Sequence, residues 1–276
     1  MLATAVLGVA LGLVTTPQAL IERPAGSVTL LDARSRGEYR DGHIPGAIPI
    51  DWTDYRDGWG RTGRLPTDLE RLASRLAELG VDDRRPVVVY GDANEGWGEE
   101  GRIVWMLAYL GHPDVALLDG GWRAWLEAKG AVSTRPEEPR PGRFTARPDP
   151  ALRATGDDVE AARHGAGIVL DVRTEEEWLG ATPHFEPRGG HIPGAVHLEW
   201  KELLDTRGRI DLERARARLR SIGIDPARPV ITYCTAGVRA AEAWVLLRAL
   251  GYVDVRNYDG SWYEWSADES RPVSRE

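Results

Sequence analysis

One cysteine, Cys234, is all the thiol chemistry that this 276-residue chain contains. It leaves no partner for an intrachain disulfide, and it rules out a multi-thiolate zinc site or a four-cysteine iron–sulfur cluster built from this chain alone. Positive charge is also in deficit: 35 Lys and Arg stand against 43 Asp and Glu, a formal net charge of −8 with a pI near 5.4. No global positive field collects phosphate backbones or anionic lipid, so neither nucleic acid nor a membrane is an expected partner. Long apolar runs are missing as well. The stretch from Met1 to Val14 is apolar, but it is too short to span a bilayer and lacks the basic residues that open a secretory signal. It reads as a first strand preceded by a loose apolar tail, which favours the cytoplasm. A remnant export signal, and with it a periplasmic or secreted protein, is the other reading. What is present, 42% hydrophobic and 28% charged residues, is the balance of a folding globular chain. At roughly 150 residues per domain its length suits two domains.

The sequence repeats itself. Leu31-Asp32-Ala33-Arg34 followed by Gly42-His43-Ile44-Pro45-Gly46-Ala47 is answered by Leu170-Asp171-Val172-Arg173 followed by Gly190-His191-Ile192-Pro193-Gly194-Ala195. Val87-Val88-Val89-Tyr90 is answered by Val230-Ile231-Thr232-Tyr233, Leu110-Gly111 by Leu250-Gly251, and Asp119-Gly120-Gly121-Trp122 by Asp259-Gly260-Ser261-Trp262. The separation is 139 positions at the Asp, 148 at the His, 143 at the Tyr and 140 at the Trp. The second copy therefore gains nine residues between Asp and His, then loses five before the Tyr and three after it. Short β-branched runs alternate with helical patterns in both copies, which predicts two tandem α/β domains, each a parallel sheet flanked by helices. Leu65, Leu69, Leu72, Leu76 and Leu79 mark one helix, with a capping box at Thr67 and a stop at Gly80; its counterpart runs from Asp211 to Gly223. The domains are expected at 13–134 and 154–276. Between them, 135–153 carries Pro136, Pro139, Pro141, Pro148 and Pro150, the composition of an extended linker.

Cys234 directly follows the strand pattern Val230–Tyr233 and precedes Thr235-Ala236-Gly237-Val238-Arg239, after which Ala240 to Leu250 reads as a helix with Trp244, Leu247 and Leu250 on one face. That order puts the thiol at a helix N-terminus, where unpaired N–H groups and the helix dipole stabilise an anion and Arg239 adds a positive charge. Such surroundings favour the thiolate and suit an anionic substrate. A buried structural cysteine ending a strand is the bland alternative. The position at the carboxyl end of a strand, where ligands bind open α/β sheets, favours the reactive one.

These residues resemble a known family. Tyr39 to Ile50 is similar to the N-terminal signature of the tandem rhodanese sulfurtransferases and Val255 to Trp265 to their C-terminal signature, and the resemblance runs from Leu13 to Ser266. It implies that Cys234 takes the outer sulfur of a small anionic donor as a persulfide and passes it to a nucleophile, with no metal or organic cofactor. Cyanide, a thiol and thioredoxin are the acceptors it allows. The loop Thr235, Ala236, Gly237 and Val238 is then expected to cradle the donor, with Arg239 and Arg188 as its charged ligands and Asp171 bracing the loop. Mercaptopyruvate-using relatives typically read Cys-Gly-Ser-Gly-Val-Thr here. The Arg-ended loop and the presence of Leu179, where an arginine is often found, favour thiosulfate over 3-mercaptopyruvate.

Other readings remain. Phosphatases of this fold hold five residues between cysteine and arginine, whereas four separate Cys234 from Arg239, which favours sulfur over phosphorus. A non-catalytic persulfide carrier is the rival outside enzymology. The first copy has Gly91 in place of the cysteine and a longer acidic loop, Gly91 to Glu100, so it is expected to be catalytically inactive and to shape one wall of the cleft. His43 and His191 belong to His-Ile-Pro-Gly-Ala turns and read as structural. Trp262 and Trp265 read as packing.

Overall fold

The computed structural model describes residues 11–57 and 61–275, so the expected tail before Leu11 lies outside the described residues. In the first half β1 (Val14–Thr15), β2 (Thr29–Asp32), β3 (Ala47–Pro49), β4 (Val87–Tyr90) and β5 (Val115–Leu118) make one parallel sheet, ordered β1-β5-β4-β2-β3. In the second, β6 (Arg153–Ala154), β7 (Ile168–Asp171), β8 (Val196–His197), β9 (Val230–Tyr233) and β10 (Val255–Tyr258) repeat that order as β6-β10-β9-β7-β8. The two α/β domains expected from the repeat are what form. The central strands β4 and β9 are buried at every residue, as apolar strands covered on both faces must be.

Details move where tertiary contacts override local signals. The helix expected to be capped at Thr67 is capped one residue later and spans Leu69–Glu78, with the carboxylate of its cap Asp68 accepting the Arg71 N–H at 3.0 Å. Leu65, ahead of that cap, gives its N–H across the domain boundary to Asp259 Oδ2 at 2.9 Å. From Ala131 to Asp149 the chain forms no helix and pairs with a strand-like neighbour only through the Ser133–His43 bridge. It is strapped to the first domain by the N–H groups of Gly142, Arg147 and Asp149, each 2.8 Å from a carbonyl, of Ala77, Leu110 and Tyr109. Arg153, read as linker, already belongs to β6.

The domains meet through two helices, Glu99–Tyr109 of the first and Val238–Ala249 of the second. The latter is rich in alanine, a strong helix former, and is buried without interruption from Val238 to Leu247. The one-faced stripe expected for it misses this, since one side packs on its own sheet and another on the partner helix. Full burial of Leu246 and Leu247 contributes about 1.5–3 kcal/mol each before conformational entropy is counted. At Gly101 the approach is so close that a Cβ would lie 2.0 Å from Glu242 Oε2.

Two carboxyls are sealed in this interface. Glu100 and Glu242 are 3% and 1% exposed, and one oxygen of each has no hydrogen-bond partner. Burial, aided by the charge of Glu99, pushes Glu100 up to about 8, and burial together with Glu100 pushes Glu242 well above the ordinary carboxyl range. The fold therefore keeps protons that the unfolded chain releases, and stability falls as pH rises from about 4.5 toward 8. Glu242→Gln, which cannot ionise, is expected to raise Tm at pH 8 by more than at pH 5. An equal change in thermal melts at both pH values would refute the assignment.

Candidate active site

Parallel strand β9 delivers Cys234 to the start of the helix Val238–Ala249, through a loop whose shape is tightly set. Gly237 takes a φ of 72°, and a Cβ there would lie 2.6 Å from the Asp259 carbonyl oxygen, so glycine is required. The Cys234 N–H donates to Ser261 Oγ at 3.1 Å, and the Cys234 carbonyl accepts the Trp262 N–H at 2.9 Å. Ser261 is fully buried with a φ of 52°, a strained value for a residue bearing a Cβ, and its counterpart Gly121 has the same φ. Strain borne by glycine in the first domain is thus borne by serine in the second, where the hydroxyl has a loop to hold.

Arg239 is not the free cation that the sequence suggests. Its guanidinium binds Glu177 in a fork, Nη1 to Oε2 at 2.6 Å and Nη2 to Oε1 at 2.8 Å, and Nη2 also donates to Thr235 Oγ1 at 2.7 Å. The Thr235 hydroxyl in turn donates to Glu177 Oε1 at 2.6 Å. Both members of the pair are buried. Burial opposes ionisation of Glu177, but the hydrogen bonds and charge of Arg239, with Thr235 and the Thr174 N–H, hold its carboxyl down at about 2. Sequence reasoning missed Glu177, although a signal existed: Thr174-x-x-Glu177 repeats the capping box Ser35-x-x-Glu38, and both boxes form.

Cys234, itself 1% exposed, lines a cavity of about 300 Å³ together with Thr235, Ala236, Val238 and Arg239. Gly237 and Asp171 are not among the lining residues. The facing wall comes from the first domain, with Trp52, Arg56, Arg61, Trp97 and Glu99, and from His184 and Tyr263. Arg61 donates to the His184 carbonyl at 2.6 Å and lies 4.9 Å over the Phe185 ring, while Trp97 meets the His184 ring edge-on at 5.4 Å. The nine residues gained by the second repeat thus close one side of the cavity. Gly63 presses on the loop from the first domain: a Cβ there would lie 1.8 Å from the Ala236 carbonyl oxygen.

The remaining expected residues lie elsewhere. Arg188 is not part of the cavity wall; its guanidinium clamps the carbonyls of Ser266, Trp265, Asp268 and Arg271 at 2.6–3.1 Å, which corrects the expectation of a substrate ligand to one of a chain-terminal brace. Leu179 is 58% exposed outside the cavity. Asp171 accepts from Arg173 at 2.6 Å and from Tyr233 Oη at 2.5 Å, so it braces the strand end beside Cys234 rather than the loop after it. His43 and His191 direct Nδ1 at the carbonyls of Tyr39 and Trp178 and stack on those rings. Trp262 donates to the Arg188 carbonyl at 2.8 Å and Trp265 to that of Pro272 at 2.8 Å. In the first domain a Cβ on Gly91 would lie 2.3 Å from Glu100 Oε2, so a carboxyl group fills the space that a thiol would need.

Glu177, His184 and Glu186 offer ligand atoms within 4.8 Å of one another, a spacing that a metal ion can use. Glu177 spends both oxygens on Arg239, Thr235 and Thr174, and Glu186 accepts the His184 N–H at 3.0 Å. As arranged, the cluster serves the loop. Among the described residues no helix is long and apolar enough to cross a membrane.

Comparison with known proteins gives the same frame. The rhodanese-like domain family matches residues 16–128 and 155–268. The chain is 36% identical to a thiosulfate sulfurtransferase of Corynebacterium glutamicum, over 85% of this chain and 80% of the relative. It is 34% identical to a thiosulfate sulfurtransferase of Pseudomonas aeruginosa over 95% and 97%. To the sulfur carrier protein TtuD of Thermus thermophilus it is 34% identical over 86% and 87%. A solved anaerobic ergothioneine biosynthesis enzyme from Chlorobium limicola shares the fold with a TM-score of 0.82 at 24% identity, covering 92% of this chain and 65% of that one. The curated relatives support sulfurtransferase activity.

The buried pair makes a stability test. Glu177→Ala leaves the Arg239 charge buried and unpaired, a change expected to cost about 3–5 kcal/mol in urea unfolding. Because the Glu177 carboxyl is depressed, the pair's contribution is present above about 4.5 and is lost as pH falls toward 2. A loss below 1 kcal/mol at neutral pH would show that the fork does not hold the loop.

Proposed function

The chain belongs to the rhodanese family, and from that premise we propose that it moves the sulfane sulfur of thiosulfate to a thiophilic acceptor through a persulfide on Cys234. The observation that carries the proposal is the placement of the chain's one cysteine, after a central parallel strand, at a helix start and in the wall of a two-domain cavity. Relatives named thiosulfate sulfurtransferase support the choice of donor.

In the first step Cys234 Sγ, as thiolate, attacks the outer sulfur of thiosulfate. A sulfur–sulfur bond to the protein forms, the bond within thiosulfate breaks, and sulfite leaves with the electron pair. In the second, the acceptor attacks the outer persulfide sulfur and Cys234 leaves as thiolate, so no external oxidant or reductant enters. N–H groups of the first helical turn stabilise the departing sulfite and the persulfide. Since Arg239 is neutralised by Glu177, the full positive charge for the donor falls to Arg61, with Arg56 beside it on the cavity wall. Arg239 keeps a different task, fixing Thr235 and through it the loop.

The name of the Thermus relative supports a second reading, a carrier that accepts persulfide from a partner enzyme. Steady-state turnover of purified protein with thiosulfate and cyanide separates the two, since a carrier loads once and stops. The donor preference inferred from the loop is tested in the same assay, with thiosulfate expected to exceed 3-mercaptopyruvate in kcat/KM by about tenfold or more, the worth of one charge-assisted hydrogen bond.

Two substitutions test the assignments. Cys234→Ser is expected to abolish turnover, and intact mass after thiosulfate treatment should show one added sulfur in the parent and none in the variant; residual activity in the variant refutes the nucleophile. Arg61→Ala is expected to raise KM for thiosulfate by about ten- to a hundredfold, from a lost charge-assisted contact of roughly 1.5–3 kcal/mol. Arg188→Ala should leave KM unchanged and lower Tm, because its guanidinium serves carbonyls of the chain end. A raised KM in the Arg188 variant would return that residue to the donor.

A further inference from the structure

One buried charge beneath the site has no role in the chemistry above. Arg102, on the first-domain helix Glu99–Tyr109, is 1% exposed. Its Nη2 donates to the Gly63 carbonyl, the guanidinium lies 4.7 Å over the Trp105 ring, and Nη1 has no hydrogen-bond partner. Gly63 is the residue pressed against the Ala236 carbonyl in the active loop.

The other charges around the thiol cancel in pairs. Arg239 is matched by Glu177, Arg173 by Asp171 and Arg153 by Asp259. From the cavity's first-domain wall Arg56, Arg61 and Glu99 face the loop, and Arg61 is exposed to screening solvent. Arg102 stands apart as a buried cation without a paired carboxylate among the described residues. Burial brings its pKa down to about 10; Asp259 favours its charged form, Arg153 opposes it, and Cys234 favours it. An interaction that favours the cation also favours the anion opposite.

We propose that Arg102 is a positioning residue lent by the first domain, which holds the Gly63 strap on the active loop and sets a positive charge behind the Cys234 thiolate and its persulfide. The inference rests on Cys234 being the reactive thiol. It gives the cysteine-free domain a direct part in the reactivity of the other domain's cysteine. It also accounts for a burial that costs the fold stability, since an unmatched guanidinium in an interface is expensive.

Because the chain has one cysteine, alkylation by iodoacetamide reports on Cys234 alone, whether or not thiosulfate is the donor. Arg102→Gln keeps a donor for Gly63 without the charge, and Arg102→Lys keeps the charge. In the Gln variant the alkylation pH profile is expected to move to higher pH, with alkylation at pH 7 slowed about three- to tenfold, equivalent to half to one pKa unit. The Lys variant is expected to return most of the parent profile. Thermal melts confirm that each variant is folded. If Gln does not fold, a Lys variant with the parent profile supports the charge role, and one displaced to higher pH overturns it. Profiles unchanged in a folded Gln variant overturn the proposal too. Failure of thiosulfate turnover in the parent would strike the proposed donor and leave this measurement standing.

Discussion

The fork between Arg239 and Glu177 is the contact on which the rest of the site depends. Its two partners come from a helix start and from a capping box that the sequence separates by 62 positions, and closing it brings the loop after β9 against the loop after β7. Thr235 is drawn into the same network, Gly237 turns beneath it, and Cys234 is left where the strand ends. A pair this deep repays its desolvation only with near-ideal geometry and further hydrogen bonds, and the third partner, Thr235, supplies them. Its consequence is chemical. The arginine that ends the loop is spent on shape, so the charge that an anion needs must come from outside the loop.

On the proposed reading that charge comes from the other copy of the fold, and the two copies differ in complementary ways. Where the second has Cys234 the first has Gly91, with the Glu100 carboxyl filling the space beside it. Counted back from Leu110 and Leu250, Glu99 stands where the second has Arg239, and Arg102 where it has Glu242. The first domain thus has neither the thiol nor the arginine of the other loop, and it buries Arg102 in the shared interface. Its strap from Arg61 to Leu65 reaches across, with Arg61 on the His184 carbonyl, Gly63 on Ala236 and the Leu65 N–H on Asp259.

What could be read from the sequence was what one copy or one short motif encodes. The order strand, cysteine, tight loop, helix is local, and the parallel sheets follow from a pattern seen twice. Helix burial and the linker's end departed from the local pattern, because the alanine-rich helix answers to a partner helix in the other domain and Arg153 to β10 of its own sheet. The opposite wall of the cavity was not legible. Arg61, Gly63 and Trp97 lie in irregular segments with no periodicity to mark them, and their task exists only after the domains dock. Arg188 was hard to place for the opposite reason: its position in the inserted loop suggested a ligand, while the carbonyls it binds belong to residues 265–271.

A chain of net charge −8 that handles an anion needs its positive charge concentrated and shielded. At physiological ionic strength exposed charges more than about 8 Å apart are largely screened, whereas buried ones are not. The acidic surface is therefore little felt inside a cavity of about 300 Å³ walled by Trp52, Trp97 and Tyr263. There the local sum decides: Arg239 is paired, Arg56, Arg61 and Glu99 stand on the wall, and Arg102 is buried in the interface, so on the proposed reading Arg61 would meet the anion and Arg102 would act from behind the thiol. The acidic first-domain loop puts one carboxyl, Glu99, on that wall and buries another, Glu100, in the interface. Its Glu100 is held protonated by burial up to about 8, so the carboxyl that replaced a thiol adds volume to the interface without adding charge at neutral pH.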